Sequence, residues 1–227
     1  MVSNIRFFTF FKKLSLSVLL MTVLFGLCLW GLFVVADMVF AYKDFMFDEN
    51  VFTRIKPWVS QTNTNIMLVI TFLGSQYFLL PANLFLIFYY LLIKENKKNA
   101  FKIATISVTS VLVMFFIKYI LHRERPLVPL ITKVHGYSFP SGHTFTSVTF
   151  YGILGYIAFK NIKHPILRWM AVLFLICLVF LVGFSRVYLR LHYASDVIAG
   201  FCLGVIWLLF AKWFLLKTEE TKFQHNL

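Results

Sequence analysis

The chain of 227 residues is 60% hydrophobic and 19% aromatic, with only 14% charged residues, well below the roughly 25% charged composition of soluble domains. Its formal net charge of +13 would suit nucleic acid, but such a surface needs basic residues gathered on a soluble module, and none fits between the apolar runs. The composition therefore excludes a soluble nucleic-acid binder and indicates an integral membrane protein with cations at the ends of its spans.

Runs long enough to cross about 30 Å of hydrocarbon predict six transmembrane helices, at about 14–36, 66–93, 101–120, 144–159, 169–184 and 194–216. The expected fold is an all-α, polytopic bundle, a single integral membrane domain over 1–227. The first run exceeds the 7 to 15 or so apolar residues of a signal peptide and is read as a retained helix. Residues 37–65, with Asp37, Asp44, Asp48 and Glu49, are an outer loop suited to a short amphipathic lid.

The third helix ends on Lys118, and Arg125-Pro126 follows after six residues. Proline disfavours helix in the residue before it, so the Arg125 guanidinium can turn back toward Lys118. A fork-shaped guanidinium and a compact ammonium together suit phosphate oxygens. Within the spacer, His122, Arg123 and Glu124 read as a solvated turn. His135 and Tyr137 fall in the loop above the expected site, placed to shape entry.

Pro140-Ser141-Gly142-His143 stands just before the fourth helix. Serine and glycine at a helix start leave backbone N–H groups pointing outward, a terminus that favours an anion, and His143 directly after them can reach a bound phosphoryl group. Ser185-Arg186, His192 and Asp196 lie across the turn from the fifth helix to the sixth. His192 and Asp196, four apart, share a face, so the carboxylate can accept the imidazole Nδ1–H and leave Nε2 free to attack. Arg190, inside that spacer, is placed to touch a headgroup.

A charged side chain at the bilayer centre costs about 2.5–3.5 kcal/mol on insertion scales, so an apolar chain keeps such groups where they are wet, paired or used. Cations, exposed backbone N–H groups, two histidines and one carboxylate are the parts of a metal-free phosphoryl transfer. No carboxylates gather at a spacing suited to magnesium. Cys28, Cys177 and Cys202 lie inside apolar runs, where cysteine behaves as a small hydrophobe. Neither a metal nor any other cofactor is expected.

Thirteen of the 22 Lys and Arg residues fall on one side of the expected membrane: Arg6, Lys12, Lys13, Lys94, Lys97, Lys98, Lys102, Lys160, Lys163, Arg168, Lys212, Lys217 and Lys222. The excess of positive charge marks the cytoplasmic side. Both termini are then cytoplasmic, and all three polar clusters meet on the outer side.

The stretches KYILHRERP, PSGH and SRVYLRLHYASD resemble the type-2 phosphatidic acid phosphatase family, which also includes lipid pyrophosphate phosphatases, glucose-6-phosphatase and vanadium-dependent haloperoxidases. The six-helix layout is similar to the membrane branch; the first hundred residues match in layout alone. The resemblance implies that Lys118, Arg125 and Arg186 hold the phosphoryl oxygens, with help from Ser141 and the Gly142 backbone. It implies that His192 attacks phosphorus to form a phosphohistidine while Asp196 orients it. His143 would protonate the leaving group and then take a proton from the hydrolytic water, all without metal.

A site open at the outer interface suits a headgroup whose tails stay in the bilayer. Undecaprenyl pyrophosphate, phosphatidylglycerophosphate and phosphatidic acid are the expected candidates, in a bacterial inner membrane with the site facing the periplasm or exterior. The alternatives are a phosphotransferase using the same phosphohistidine and a non-catalytic lipid-binding protein. A dead relative would lack one of His143, His192 and Asp196, and all are present; a small transporter would carry its ionisable residues at mid-helix; vanadate-binding members are soluble. The motifs carry no signal for oligomeric state.

Overall fold

A computed structural model describes the backbone of residues 2–131 and 136–224, with side chains for residues 16, 18–131 and 136–212. Among the described residues every regular element is helical. In chain order these are α1 (Val2–Ala36), continued by a π-helical turn (Asp37–Ala41); α2 (Met46–Ile55); α3 (Gln61–Leu73); α4 (Gln76–Phe88); α5 (Lys97–Leu121); α6 (Gly142–Asn161); α7 (Pro165–Tyr188); and α8 (Ala194–Gln224).

Among the described residues, five helical stretches are long and apolar enough to cross a membrane: Val18–Ala41, Gln61–Ile93, Lys97–Leu121, Pro165–Tyr188 and Ala194–Lys212. The expected fourth span, α6, is not among them. Its inward faces carry Thr144, Ser147 and Thr149 beside Phe145, Val148, Phe150, Tyr151 and Ile153, all buried, and it packs against α4, α5, α7 and α8. A helix surrounded by protein rather than lipid has no need of an apolar surface all round. The lipid-facing character lies instead on its neighbours, where Leu112, Phe115, Phe116, Leu173, Phe174 and Phe180 are exposed.

Local chemistry sets the ends. Ser60 caps α3 by accepting from the Asn63 N–H at 3.2 Å, Pro165 occupies the first turn of α7, where its missing N–H costs nothing, and His122 closes α5 in the left-handed region at φ 45°. The expected second span is broken into α3 and α4 at Gly74-Ser75, where Val182 and Ser147 leave no room for a Cβ. Ser185 and Arg186, expected in a turn, belong to the last turn of α7, which runs on to Tyr188. The hydrophobic run ended at Phe184, but the backbone continues helically because the polar residues after it are themselves buried.

Polarity of the chain gathers the motifs. α5 and α7 end, and α6 and α8 begin, at one end of the bundle. The turns carrying Lys94 and Lys163 lie at the other ends of these helices. Of the cations that set the expected orientation, the side chains of Arg6, Lys12, Lys13, Lys217 and Lys222 fall outside the described residues.

In the segment expected as an outer loop, α2 is amphipathic. Its buried face carries Asp48, Phe52 and Ile55, and the two hydrophobes pack with Val187, Tyr188, Leu189, Leu191, Ala194 and Val197. The helix is thereby fixed over the start of α8 and the end of α7.

Candidate active site

Lys118 and Arg125, either side of the α5 terminus in sequence, direct their donors to the adjacent carbonyls of Tyr137 and Gly136. After the left-handed turn at His122 the chain runs irregularly, as Pro126 requires of its predecessor. The Lys118 Nζ donates to the Tyr137 carbonyl at 2.7 Å. Arg125 donates from Nε to the Gly136 carbonyl at 2.9 Å and from a terminal nitrogen to the Leu191 carbonyl at 2.7 Å. That same nitrogen stands 3.2 Å from His192 Nε2. Tyr137 thus borders the site as expected, with its ring 4.4 Å from that of His122; His135 lies outside the described residues.

The start of α6 is fixed by Ser141, whose hydroxyl oxygen accepts from the Thr144 Oγ1 at 2.9 Å and caps the helix through the Thr144 N–H. The Ser141 N–H donates to the Asp196 carbonyl at 2.9 Å, so α6 and α8 are joined at their first turns. Gly200 permits this approach: a Cβ there would sit 2.8 Å from the Ser141 carbonyl oxygen. At Gly142 a Cβ would meet Lys118 Cε at 3.6 Å, so the lysine passes directly over the helix start. Ser141 itself is fully buried, and Gly142 and His143 are half-buried.

Arg186 projects from the last turn of α7 and donates to Thr71 Oγ1 at 2.7 Å, while its Nε is buried without a protein partner. His143 lies within electrostatic reach of Arg186, His192, Arg125 and Lys118. The cations of the first and third motifs and the histidines of the second and third therefore share one small volume.

His192 precedes α8 by two residues, and Asp196 stands in its first turn. The expected direct hydrogen bond is replaced by a relay. Nδ1 is 3.5 Å from Asp196 Oδ2, and the Ser138 hydroxyl stands beside both, 3.3 Å from Nδ1 and 2.5 Å from Oδ2. Ser138 has one proton, and the carboxylate can only accept. The hydroxyl therefore donates to Asp196 and accepts from Nδ1–H, which leaves the lone pair on Nε2, facing the Arg125 donor. Two independent partners select the same tautomer.

Arg123 corrects the expectation of a solvated turn. His122 and Glu124 are exposed, but Arg123 is only 6% exposed. It donates to Asp196 Oδ1 at 2.6 Å, to Ser195 Oγ at 2.7 Å and to Asp48 Oδ2 at 2.8 Å. Arg190 instead lies over the Phe52 ring, 5.6 Å from its centroid.

Ser138, Asp48, Ser195 and Thr71 were also missed. A signal existed for Asp48, which shares the apolar stripe of α2 with Phe52 and Ile55; a carboxylate there requires a buried partner. Ser138, Ser195 and Thr71 carry no comparable signal, since a serine or threonine is ordinary in any of these positions.

Electrostatics favour a neutral imidazole at His192. Burial holds His192 well below its ordinary value of 6.5, and Arg186, Arg125 and Lys118 push in the same direction. A neutral imidazole with a free Nε2, beside three cations, can attack an electrophile that carries negative charge and leave that charge paired.

Residues 99–220 match the model of the PAP2 superfamily. The chain is 29% identical over 166 residues to phosphatidylglycerophosphatase B of Bacillus subtilis, covering 70% of this chain and 76% of that protein. It is also 29% identical over 164 residues to the undecaprenyl-diphosphatase of Sulfolobus acidocaldarius, covering 70% and 73%. The crystal structure of a transmembrane PAP2-type phosphatidylglycerolphosphate phosphatase from Bacillus subtilis superposes with a TM-score of 0.74 at 26% identity, over 85% of this chain and 96% of the other.

Proposed function

The chain belongs to the PAP2 superfamily and is an integral membrane phosphatase, and from that premise we propose that it hydrolyses a lipid phosphate or pyrophosphate monoester, without metal, through a phosphohistidine on His192. The observation that carries this reading is the setting of His192. Nδ1 is engaged by the Ser138–Asp196 relay, and Nε2 faces Arg125 among cations suited to phosphoryl oxygens.

In the first half-reaction Nε2 forms a bond to phosphorus as the bond to the leaving oxygen breaks, and His143 gives that oxygen a proton. The negative charge of the bound phosphoryl group favours the protonated form of His143 beforehand. In the second, His143 takes a proton from water, the hydroxide oxygen bonds to phosphorus, and the N–P bond breaks to return His192 and free phosphate. Lys118, Arg125 and Arg186, with Ser141 and the Gly142 backbone N–H, hold the equatorial oxygens. Charge spreads over these oxygens in the transition state, so positioning and cationic stabilisation carry most of the rate.

Two relatives named for lipid phosphates support a substrate whose headgroup enters at the bundle end while its tails stay in the bilayer. Phosphatidylglycerophosphate, undecaprenyl pyrophosphate and phosphatidic acid are the candidates. We place the site on the outer face of a bacterial inner membrane, with α6 as a sixth, protein-enclosed crossing and the termini cytoplasmic, from the distribution of basic residues.

The test is phosphate release by the purified protein from each of the three lipids in the presence of chelator, beside His192→Ala. Release that resists the chelator and disappears in the variant is expected. Release lost on chelation overturns the metal-free reading, and activity retained in His192→Ala overturns the nucleophile. A trapped phosphohistidine without hydrolysis would make transfer to another acceptor the function.

A further inference from the structure

We propose that Arg123 and Asp48 form a buried positioning pair for Asp196, so that the outer helix α2 takes part in setting the nucleophile. The inference rests on the reading above, in which Asp196 orients His192.

Asp196 divides its work between its two oxygens. Oδ2 receives the Ser138 hydroxyl and, at 2.8 Å, the Tyr193 N–H. Oδ1, the oxygen that the His192 relay does not use, receives Arg123. The other terminal nitrogen of Arg123 bonds Asp48, so a single guanidinium lies between two carboxylates that are both 0% exposed. Without it, two negative charges would be buried close together.

The same arginine also fixes the other member of the relay. Its carbonyl accepts the Ser138 N–H at 2.7 Å, so Arg123 holds Asp196 with its side chain and Ser138 with its backbone. Its guanidinium lies over the Tyr193 ring, 4.2 Å from the centroid, and near Phe45 at 5.7 Å. Both ring contacts and the fork geometry restrict its orientation.

Asp48 anchors the arrangement to α8. Its Oδ1 accepts the Ser195 N–H at 2.9 Å, one of the N–H groups left free at a helix start. Its Oδ2 accepts the Ser195 hydroxyl at 2.6 Å, and that hydroxyl in turn accepts from Arg123. Asp48, Arg123, Ser195 and Asp196 close into one network that joins α2, the segment after α5 and the first turn of α8. Arg123 bonds the Asp196 oxygen that the His192 relay does not use, and Asp48 bonds Arg123 and Ser195, so the pair is placed to act on the site through Asp196.

The distinguishing measurement is the split between kcat and KM in detergent-purified full-length protein, using whichever lipid the wild type cleaves. Arg123→Gln is expected to lower kcat about 100-fold, as a misplaced catalytic group does, with KM changed by no more than about twofold. Arg123→Lys, which keeps the charge without the fork, should recover about tenfold of that loss. Asp48→Asn, close in shape, should lower kcat about tenfold, as loss of an outer hydrogen-bonding partner does elsewhere.

Unchanged kcat in folded Arg123→Gln, or a raised KM with kcat intact, overturns the proposal. If Arg123→Gln does not fold, Asp48→Asn decides alone, and kcat within about twofold of wild type is the contrary result. Wild type and His192→Ala run beside these variants. An inactive wild type refutes the proposed function itself; an active wild type with indifferent Arg123 and Asp48 variants refutes only the positioning pair.

Discussion

His192 and Asp196 are held by Ser138, Tyr193 and Arg123, groups that a substrate does not displace, whereas Lys118 and Arg125 direct their donors to the carbonyls of Tyr137, Gly136 and Leu191. A neutral carbonyl is a weaker acceptor for a cation than a phosphoryl oxygen, because charge-assisted hydrogen bonds are roughly twice as strong. The contrast teaches that the proposed nucleophile is arranged before substrate arrives, while the cations rest on contacts that a phosphate can replace. Arg186 belongs to the second group: Thr71 takes one nitrogen, and its partnerless Nε leaves a donor for an anion.

Substitutions on the two sides should therefore differ in kind, beginning with the largest effect. Arg186→Ala removes a donor to the charge that develops in the transition state, and losing one such donor costs about 10²–10³-fold in rate elsewhere. Its kcat/KM should fall by about that factor, with KM raised as well as kcat lowered, since the ground-state phosphate is held too. Steady-state kinetics that show a normal KM would erase the contrast.

On the nucleophile side, Ser138→Ala breaks the relay while leaving every phosphate contact in place. It should lower kcat about tenfold or more, within the range of positioned proton-bonding groups, and leave KM nearly unchanged. A raised KM would mean that Ser138 touches the substrate.

The pH profile sharpens the same comparison. Because His192 is held below 6.5, the neutral, attacking form persists as pH falls, and the acid limb of kcat/KM should lie below pH 6.5. Bound phosphate brings negative charge that favours the imidazolium. The acid limb of kcat should therefore stand at higher pH than that of kcat/KM. An acid limb of kcat/KM above the ordinary histidine range would contradict the arrangement.

The smallest change is Gly200→Ala. Its new methyl would meet the Ser141 carbonyl oxygen at 2.8 Å, and overpacking of this kind costs about 1–3 kcal/mol. Thermal unfolding should show a lower Tm, with some loss of kcat as the start of α6 shifts against α8.

Much of this architecture was legible because the chain is so apolar. Against long hydrophobic runs, Lys118, Arg125, His143, Arg186, His192 and Asp196 stand out, and their placement at helix ends brings them together once the helices alternate in direction. The apolar stretches were legible for the same reason; the run at 144–159 was read as one more span, and there α6 is enclosed by other helices and falls outside the five stretches apolar enough to cross. What sequence could not carry was long-range pairing. Arg123 and Asp48 are 75 residues apart, and Ser195 and Asp48 are 147 apart, so neither contact has a local spacing to betray it. Arg123 sat within a spacer whose neighbours His122 and Glu124 are exposed, directly after a left-handed turn at His122 that no local spacing announced.

The most direct test of the account is single-turnover reaction with a lipid labelled in its terminal phosphate, quenched under alkaline conditions that preserve phosphohistidine and mapped by mass spectrometry. Transient label on His192, at Nε2, absent from His192→Ala and formed no more slowly than phosphate is released, is the predicted result. Label on another residue, or phosphate release with no labelled intermediate at any time, would contradict it.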